Sequence, residues 1–140
     1  MAKAVVAAFR GAGFENLTVV ARNVEAGSAL ADKYGYAHTA TEPDPADVIL
    51  VNVTPLGMSG ADESSLAFSA EQIGAARAAF DVVAFPAETP FITTARAAGK
   101  QVVTGAEVIA LQAARQFERY TGVAVTADQV ARASAFSRAE

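Results

Sequence analysis

Asp47-Val48-Ile49-Leu50-Val51-Asn52-Val53-Thr54-Pro55-Leu56-Gly57-Met58 carries four consecutive branched apolar residues and then breaks into a polar turn. Such a run suits a strand covered on both faces, as in a parallel sheet flanked by helices, better than a half-solvated antiparallel strand. In sheets of that kind ligands bind just beyond the carboxyl ends of the strands. Asn52, Thr54, a Pro55 that stops the ladder and a Gly57 that permits close backbone approach are suitable residues for that rim.

Working outward, strand and helix signals alternate. Upstream, Met1 to Ala12 has helical spacing through Ala2, Val5, Val6 and Phe9 and is closed by Gly11 and Gly13. Leu17 to Ala21 reads as a short buried strand ending at Arg22-Asn23, and Val24 to Tyr34 as a helix stopped by Gly35. Tyr36 to Thr39 suits a short strand near a sheet edge, and Thr41-Glu42-Pro43-Asp44-Pro45 a turn.

Downstream, Ser59 to Ser65 reads as a rim loop and Ala70 to Ala76 as one or two helical turns. A strand is expected over Ala79 to Ala84. Thr89 and Pro90 then have the form of an N-cap and first helical residue for a helix that Gly99 ends. Lys100 to Val103 is a last strand, turned by Thr104-Gly105 into a long helix over Ala106 to Tyr120. Thr126-Ala127-Asp128-Gln129 has the form of a capping box opening a terminal helix to about Phe136. The alternation predicts an α/β fold with an open, mostly parallel sheet.

Bulk composition narrows the function. At 140 residues the chain is of single-domain size, and 52% apolar residues suffice for a core. No segment approaches the roughly eighteen apolar residues of a membrane span, and no signal peptide is read at the start. The absence of Cys rules out disulfides and thiolate metal sites and suits the cytoplasm. A net charge of −4 with dispersed signs argues against nucleic acid as the main partner. His38 is the sole histidine, so no multi-histidine metal site can form within one chain, and it is read as structural.

Three positions stand out. If the sheet binds a dinucleotide, the tip Ala21-Arg22-Asn23 offers Arg where an NAD site usually offers a carboxylate, which favours NADP. An ordinary solvated Arg is the competing reading, and position alone does not separate the two. Thr104-Gly105 places a helix N-terminus at the rim, where exposed amides attract negative or polar groups. Gln112 lies seven residues on, about 10 Å along the helix, at the edge of an apolar stripe through Ala106, Ile109, Ala110, Ala113, Phe117 and Tyr120. A solvent-facing Gln is the commoner outcome there. For the Thr54 turn, holding a ligand and merely ending a strand stand equal. No carboxylate pair suggests an acid and a base.

Taken together, Val51 to Met58, Phe80-Asp81-Val82-Val83 with Glu88-Thr89-Pro90-Phe91, and Gly105 through Gln112-Ala113-Ala114 resemble the shikimate dehydrogenases, most nearly the shikimate dehydrogenase-like branch. The likeness runs through essentially all 140 residues and covers only the C-terminal, NADP-binding half of such an enzyme. It implies a Rossmann-like, doubly wound sheet that lacks its first strand and glycine-rich turn, with residues 1–140 as one truncated dinucleotide-binding domain. The implied activity is NADP-dependent hydride transfer between shikimate and 3-dehydroshikimate, or a related alicyclic hydroxy acid, with NAD as the alternative cofactor. A non-catalytic nucleotide-binding or assembly module derived from the family is the competing function.

The resemblance implies that Arg22 meets the adenosine 2′-phosphate, with Ala21 and Asn23 beside the ribose. Thr54 would line the cofactor cleft, the backbones of Val82 and Gly105 would flank the nicotinamide, and Gln112 would reach substrate hydroxyls. Departures from the pattern are Ala26 for a second Arg, Ala84 for a substrate-contacting Tyr, and Val108-Ile109 for a Met-Leu pair. The Lys and Asp that handle the hydroxyl proton belong to the family's N-terminal domain, so no catalytic or metal-binding residue is expected in this chain, and alone it should be inactive. A missing central strand of about five branched residues would cost on the order of 10 kcal/mol, close to a usual total of about 5 to 15 kcal/mol. The chain is thus expected to be a cut or internal start of a longer protein, partnered by the missing half or by a second copy.

Overall fold

The computed structural model describes residues 1–41 and 44–137. The Glu42-Pro43 step of the expected turn lies outside them. Eleven elements follow in order: α1 (Ala2–Gly11), β1 (Thr18–Val20), α2 (Val24–Tyr34), β2 (Ala37–Thr39), β3 (Ile49–Asn52), α3 (Ala70–Ala75), β4 (Ala78–Asp81), α4 (Pro90–Ala97), β5 (Gln101–Val103), α5 (Gly105–Thr121) and α6 (Ala127–Phe136). The chain divides into two compact units, Met1–Ala46 and Asp47–Glu140.

In the first unit β1 and β2 run parallel, with Thr18 opposite Ala37, Val19 opposite His38 and Val20 opposite Thr39. α2 bridges them as the crossover helix that parallel pairing demands. Asn23 caps it by accepting from the Ala26 amide at 3.0 Å, and Gly35 closes it at φ 70°. Val6 of α1, Ala31 of α2 and Tyr36 form the core, joined by Leu17, Val19, Leu30 and Tyr34. The buried Tyr36 ring keeps its hydroxyl satisfied by donating to the Phe14 carbonyl at 2.6 Å. His38, read as structural, lies against Gly27, where a Cβ would come 2.5 Å from its Nε2.

The second unit holds a parallel sheet of order β3-β4-β5. Leu50, Ala79 and Val102 form one cross-strand row, and α3 and α4 cover it through Ile73, Phe91 and Ala95. Burying Phe91, Ile73 and Ile92, each at most 1% exposed, contributes about 1.5 to 3 kcal/mol apiece. The expected caps form: Thr89 with Pro90 at the first turn of α4, and the capping box at Thr126/Gln129; α5 adds a capping box at Thr104/Glu107. A further box at Ser69/Gln72 starts α3. Glu118 on α5 takes the Val125 amide at 3.3 Å and Arg115 at 2.9 Å, tying α5 to the connection before α6. These hydrogen bonds, the Val125 amide first, draw its carboxyl below the ordinary range.

Parallel α/β architecture is therefore as expected, but the covering of the strands is not. Within each unit helices cover one face. On the other, Val20 (44% exposed), Ile49 (41%) and Val103 (46%) stand open, although the sequence predicts a buried strand over Leu17 to Ala21 and one covered on both faces over Val48 to Val51. Branched apolar runs record what a strand is suited to face, not whether the given residues supply it. The apolar stripe of α5 is likewise open, with Ile109 and Phe117 about half-exposed and Tyr120 exposed.

Candidate functional site

The carboxyl ends of β3 and β4 are joined by a buried polar network. Asn52 and Asp81 are opposite each other in register, 2% and 0% exposed, and Asn52 Nδ2 donates to Asp81 Oδ1 at 3.0 Å. Asp81 Oδ1 also accepts from the Val83 amide at 3.0 Å, and Oδ2 from the buried Thr89 hydroxyl at 2.6 Å. Thr89 Oγ1 in turn accepts from the Ile92 amide at 3.2 Å, so one hydroxyl serves both the carboxylate and the start of α4. Burial pushes the Asp81 carboxyl above the ordinary aspartate range, against the hydrogen bonds from Thr89, Val83 and Asn52 that pull it down.

From Asn52 the network reaches the Thr54 turn. Asn52 Oδ1 accepts from the Thr54 amide at 3.0 Å and from its hydroxyl at 2.6 Å, while Nδ2 also donates to the Leu56 carbonyl at 3.1 Å. Thr54 itself is exposed. Gly57, at φ 87°, closes the turn against Thr89, where a Cβ would sit 3.1 Å from the threonine Cβ. The neighbouring rim segment contains the cis Phe85-Pro86 bond, and the Phe85 carbonyl accepts from the Ser59 amide at 3.1 Å.

Val82 and Gly105 are brought together. The Val82 amide donates to the Asn52 carbonyl at 3.1 Å, extending the β4 tip. Gly105 is buried, and a Cβ there would collide with the Val83 carbonyl and come 2.7 Å from the Val82 carbonyl carbon. Only glycine allows α5 to begin so close to that tip. The amides expected to stand exposed here are instead enclosed: Thr104 is 4% exposed, and Glu107 Oε2 accepts from the Thr104 amide at 2.7 Å and its hydroxyl at 2.9 Å. A carboxylate in the first turn answers the positive helix end. This end consequently suits an uncharged amide or a positive ring better than a phosphate.

Ala21, Arg22 and Asn23 follow β1 in the first unit. Arg22 is exposed and has no ion-pair partner among the described residues. The Asn23 side-chain oxygen is engaged as the α2 cap, which leaves its amide group for any ligand. Gln112 is exposed on α5 and is not joined to Thr54, Val82 or Gly105. It also lies off the lining of the open apolar cleft of about 640 Å³ between α5 and α6, whose walls include Ala84, Ala106, Ile109, Ala110, Phe117 and Val130. No cluster among the described residues could hold a metal ion, and no described helix is long and apolar enough to cross a membrane.

The Asn52-Asp81-Thr89 network was missed in the sequence. The signal available was polar residues at the ends of two apolar runs and an N-cap Thr, but their meeting depends on the register of β3 and β4.

No family model matches the chain. It is 54% identical over 140 residues to a shikimate dehydrogenase-like protein of Haemophilus influenzae, covering 99% of this chain and 51% of the relative. It is 36% identical over 129 residues to a shikimate dehydrogenase (NADP(+)) of Oleidesulfovibrio alaskensis, covering 86% of the chain and 45% of the relative. Among solved structures, a shikimate 5-dehydrogenase-like protein superposes with a TM-score of 0.93 at 52% identity, over 99% of this chain and 52% of that one. A shikimate 5-dehydrogenase from Thermus thermophilus in complex with NADP(H) and shikimate superposes at 0.79 with 31% identity, over 96% and 50%. The chain thus spans about half the length of the curated relatives it matches. By sequence and by fold, it is homologous to the shikimate dehydrogenase family and corresponds to about half of such a protein.

Proposed function

We propose that residues 1–140 form a single dinucleotide-binding domain, the cofactor-binding half of an NADP-dependent dehydrogenase acting on shikimate or a related alicyclic hydroxy acid. The observation that carries this reading is the approach of Gly105 to the Val82-Val83 backbone. It sets a carboxylate-capped helix start beside a strand tip, in a homologue of proteins that include one solved with NADP(H) and shikimate. Val82 and Gly105 then flank the nicotinamide, Thr54 lines the cleft, and Arg22 takes the 2′-phosphate with Ala21 and Asn23 beside the ribose. Gln112 reaches the substrate hydroxyls. NAD is the alternative cofactor, since the position after Glu25 is Ala26 and not a second cation.

Hydride passes between the substrate's ring carbinol carbon and nicotinamide C4, and the hydroxyl proton requires an acid-base group. The polar groups described at this rim are committed to one another, and its buried carboxylate, Asp81, already accepts three hydrogen bonds. The chain alone therefore binds cofactor without turnover and acts with a further segment or a second copy that supplies the acid-base group. A chain without Cys suits the cytoplasm, and no described helix is long and apolar enough to cross a membrane.

Calorimetric titration of the purified chain with NADP and with NAD tests the cofactor assignment. Absence of binding to either overturns it. Adding shikimate and NADP while following the reduced-nicotinamide absorbance tests the rest. Growth of that band with the chain alone contradicts the expected inactivity. Binding without growth, persisting after an N-terminal half is supplied, favours the second reading, a nucleotide-binding module without catalysis.

A further inference from the structure

We infer that Asp81 is the positioning residue of the rim, its carboxylate fastening the tips of β3 and β4 and the start of α4 in the arrangement that receives the nicotinamide end of the cofactor. The inference rests on the cofactor-binding reading above. Asp81 is fully buried and no cation pairs with it among the described residues. An ionised side chain so placed is expensive, and a well-packed apolar residue would serve stability at least as well. What an apolar residue could not do is accept three hydrogen bonds from three segments.

Each of those segments ends in a rim position. The bond from Asn52 Nδ2 holds the side chain whose Oδ1 receives the Thr54 amide and hydroxyl, so Asp81 sets Thr54 through one intermediary. The bond from the Val83 amide fixes the peptide that follows Val82 and lies against Gly105. The bond from Thr89 Oγ1 fixes the first turn of α4, on which Gly57 packs. Asp81 has no exposed surface of its own and acts only through these neighbours. Hydrogen bonds to a charged acceptor are stronger and more directional than neutral ones, which suits a group whose task is geometry.

The test uses the full 140-residue chain carrying Asp81→Asn, Thr89→Val or Thr89→Ser. Calorimetry measures affinity for NADP and for adenosine 2′,5′-bisphosphate, which has the 2′-phosphate end without the nicotinamide. Asp81→Asn and Thr89→Val are expected to weaken NADP binding about tenfold, the order of losing one hydrogen bond to a charged group, while bisphosphate binding changes by less than about twofold. Thr89→Ser, which keeps the hydroxyl, retains wild-type NADP affinity. Unchanged NADP affinity in Thr89→Val overturns the inference, as does parallel loss of both ligands, which would mark the carboxylate as a folding element only. If Asp81→Asn does not fold, the Thr89→Val and Thr89→Ser pair carries the same decision. Wild-type chain that binds no NADP removes the cofactor reading itself, and the inference with it, before any variant is compared.

Discussion

Gly105 begins α5 against the Val83 backbone with no room for a side chain, since a Cβ added there would overlap the Val83 carbonyl. A helix start and a strand tip are thus held at backbone contact, and neither partner can yield without moving its element. Gly105→Ala is expected to destabilise the chain by about 1 to 3 kcal/mol through overpacking. It should also weaken NADP binding, because α5 must retreat from Val82. Denaturant unfolding and calorimetry check the two effects; an unchanged midpoint would show that the contact relaxes freely.

In the first unit Gly27 makes a comparable approach to softer neighbours, the His38 ring at 2.5 Å and the Ala21 Cβ at 2.8 Å from a notional Cβ. Gly27→Ala should cost about 1 to 3 kcal/mol. Part of that cost should be recovered in the Gly27→Ala/His38→Ala double variant, since the ring obstruction is gone while the Ala21 Cβ remains. A double-mutant cycle measures the coupling, and strict additivity would be the contrary result.

Arg22 is exposed and has no ion-pair partner among the described residues, so its removal should leave the fold almost untouched. Arg22→Ala is expected to shift stability by no more than about 0.5 kcal/mol. The same change should lower NADP affinity about tenfold, or about 1.4 kcal/mol, and leave NAD affinity nearly constant. Loss of both cofactors alike would remove Arg22 from the 2′-phosphate.

Asp81 gives a pH dependence whose sign follows from its raised folded-state pKa. The folded protein binds the Asp81 proton more tightly than the unfolded chain does. The associated stability is therefore fully present below the ordinary aspartate pKa and is lost as pH rises through the raised value. The unfolding free energy of wild type relative to Asp81→Asn should fall from acid pH toward neutrality. A rise over that window would mean that the three donors outweigh burial.

Much of the chain was readable before its fold was known. Thr89-Pro90 and Thr126 announce helix starts by local chemistry, and each caps the helix it was expected to cap, while Thr104, read as the turn into α5, caps it together with Glu107. Gly35 and Gly99, both with positive φ, end α2 and follow α4 as read. Less legible was whatever depends on partners distant in sequence. Asn52 and Asp81 lie 29 positions apart, and only the parallel register of β3 and β4 makes them neighbours. The open faces at Ile49 and Val103 and the exposed stripe of α5 went unforeseen because periodicity marks an apolar face without showing that anything covers it. For Gln112, helical spacing gave a face but no neighbour, and it stands exposed on α5.

The central claim is that Thr54, Val82 and Gly105 serve one bound NADP. Backbone amide chemical shifts of the isotope-labelled chain, followed through an NADP titration, test it most directly. The expected result is concerted, saturable movement at all three residues with one dissociation constant. No movement at these residues, or saturation of Thr54 at a different concentration from Val82 and Gly105, would contradict it.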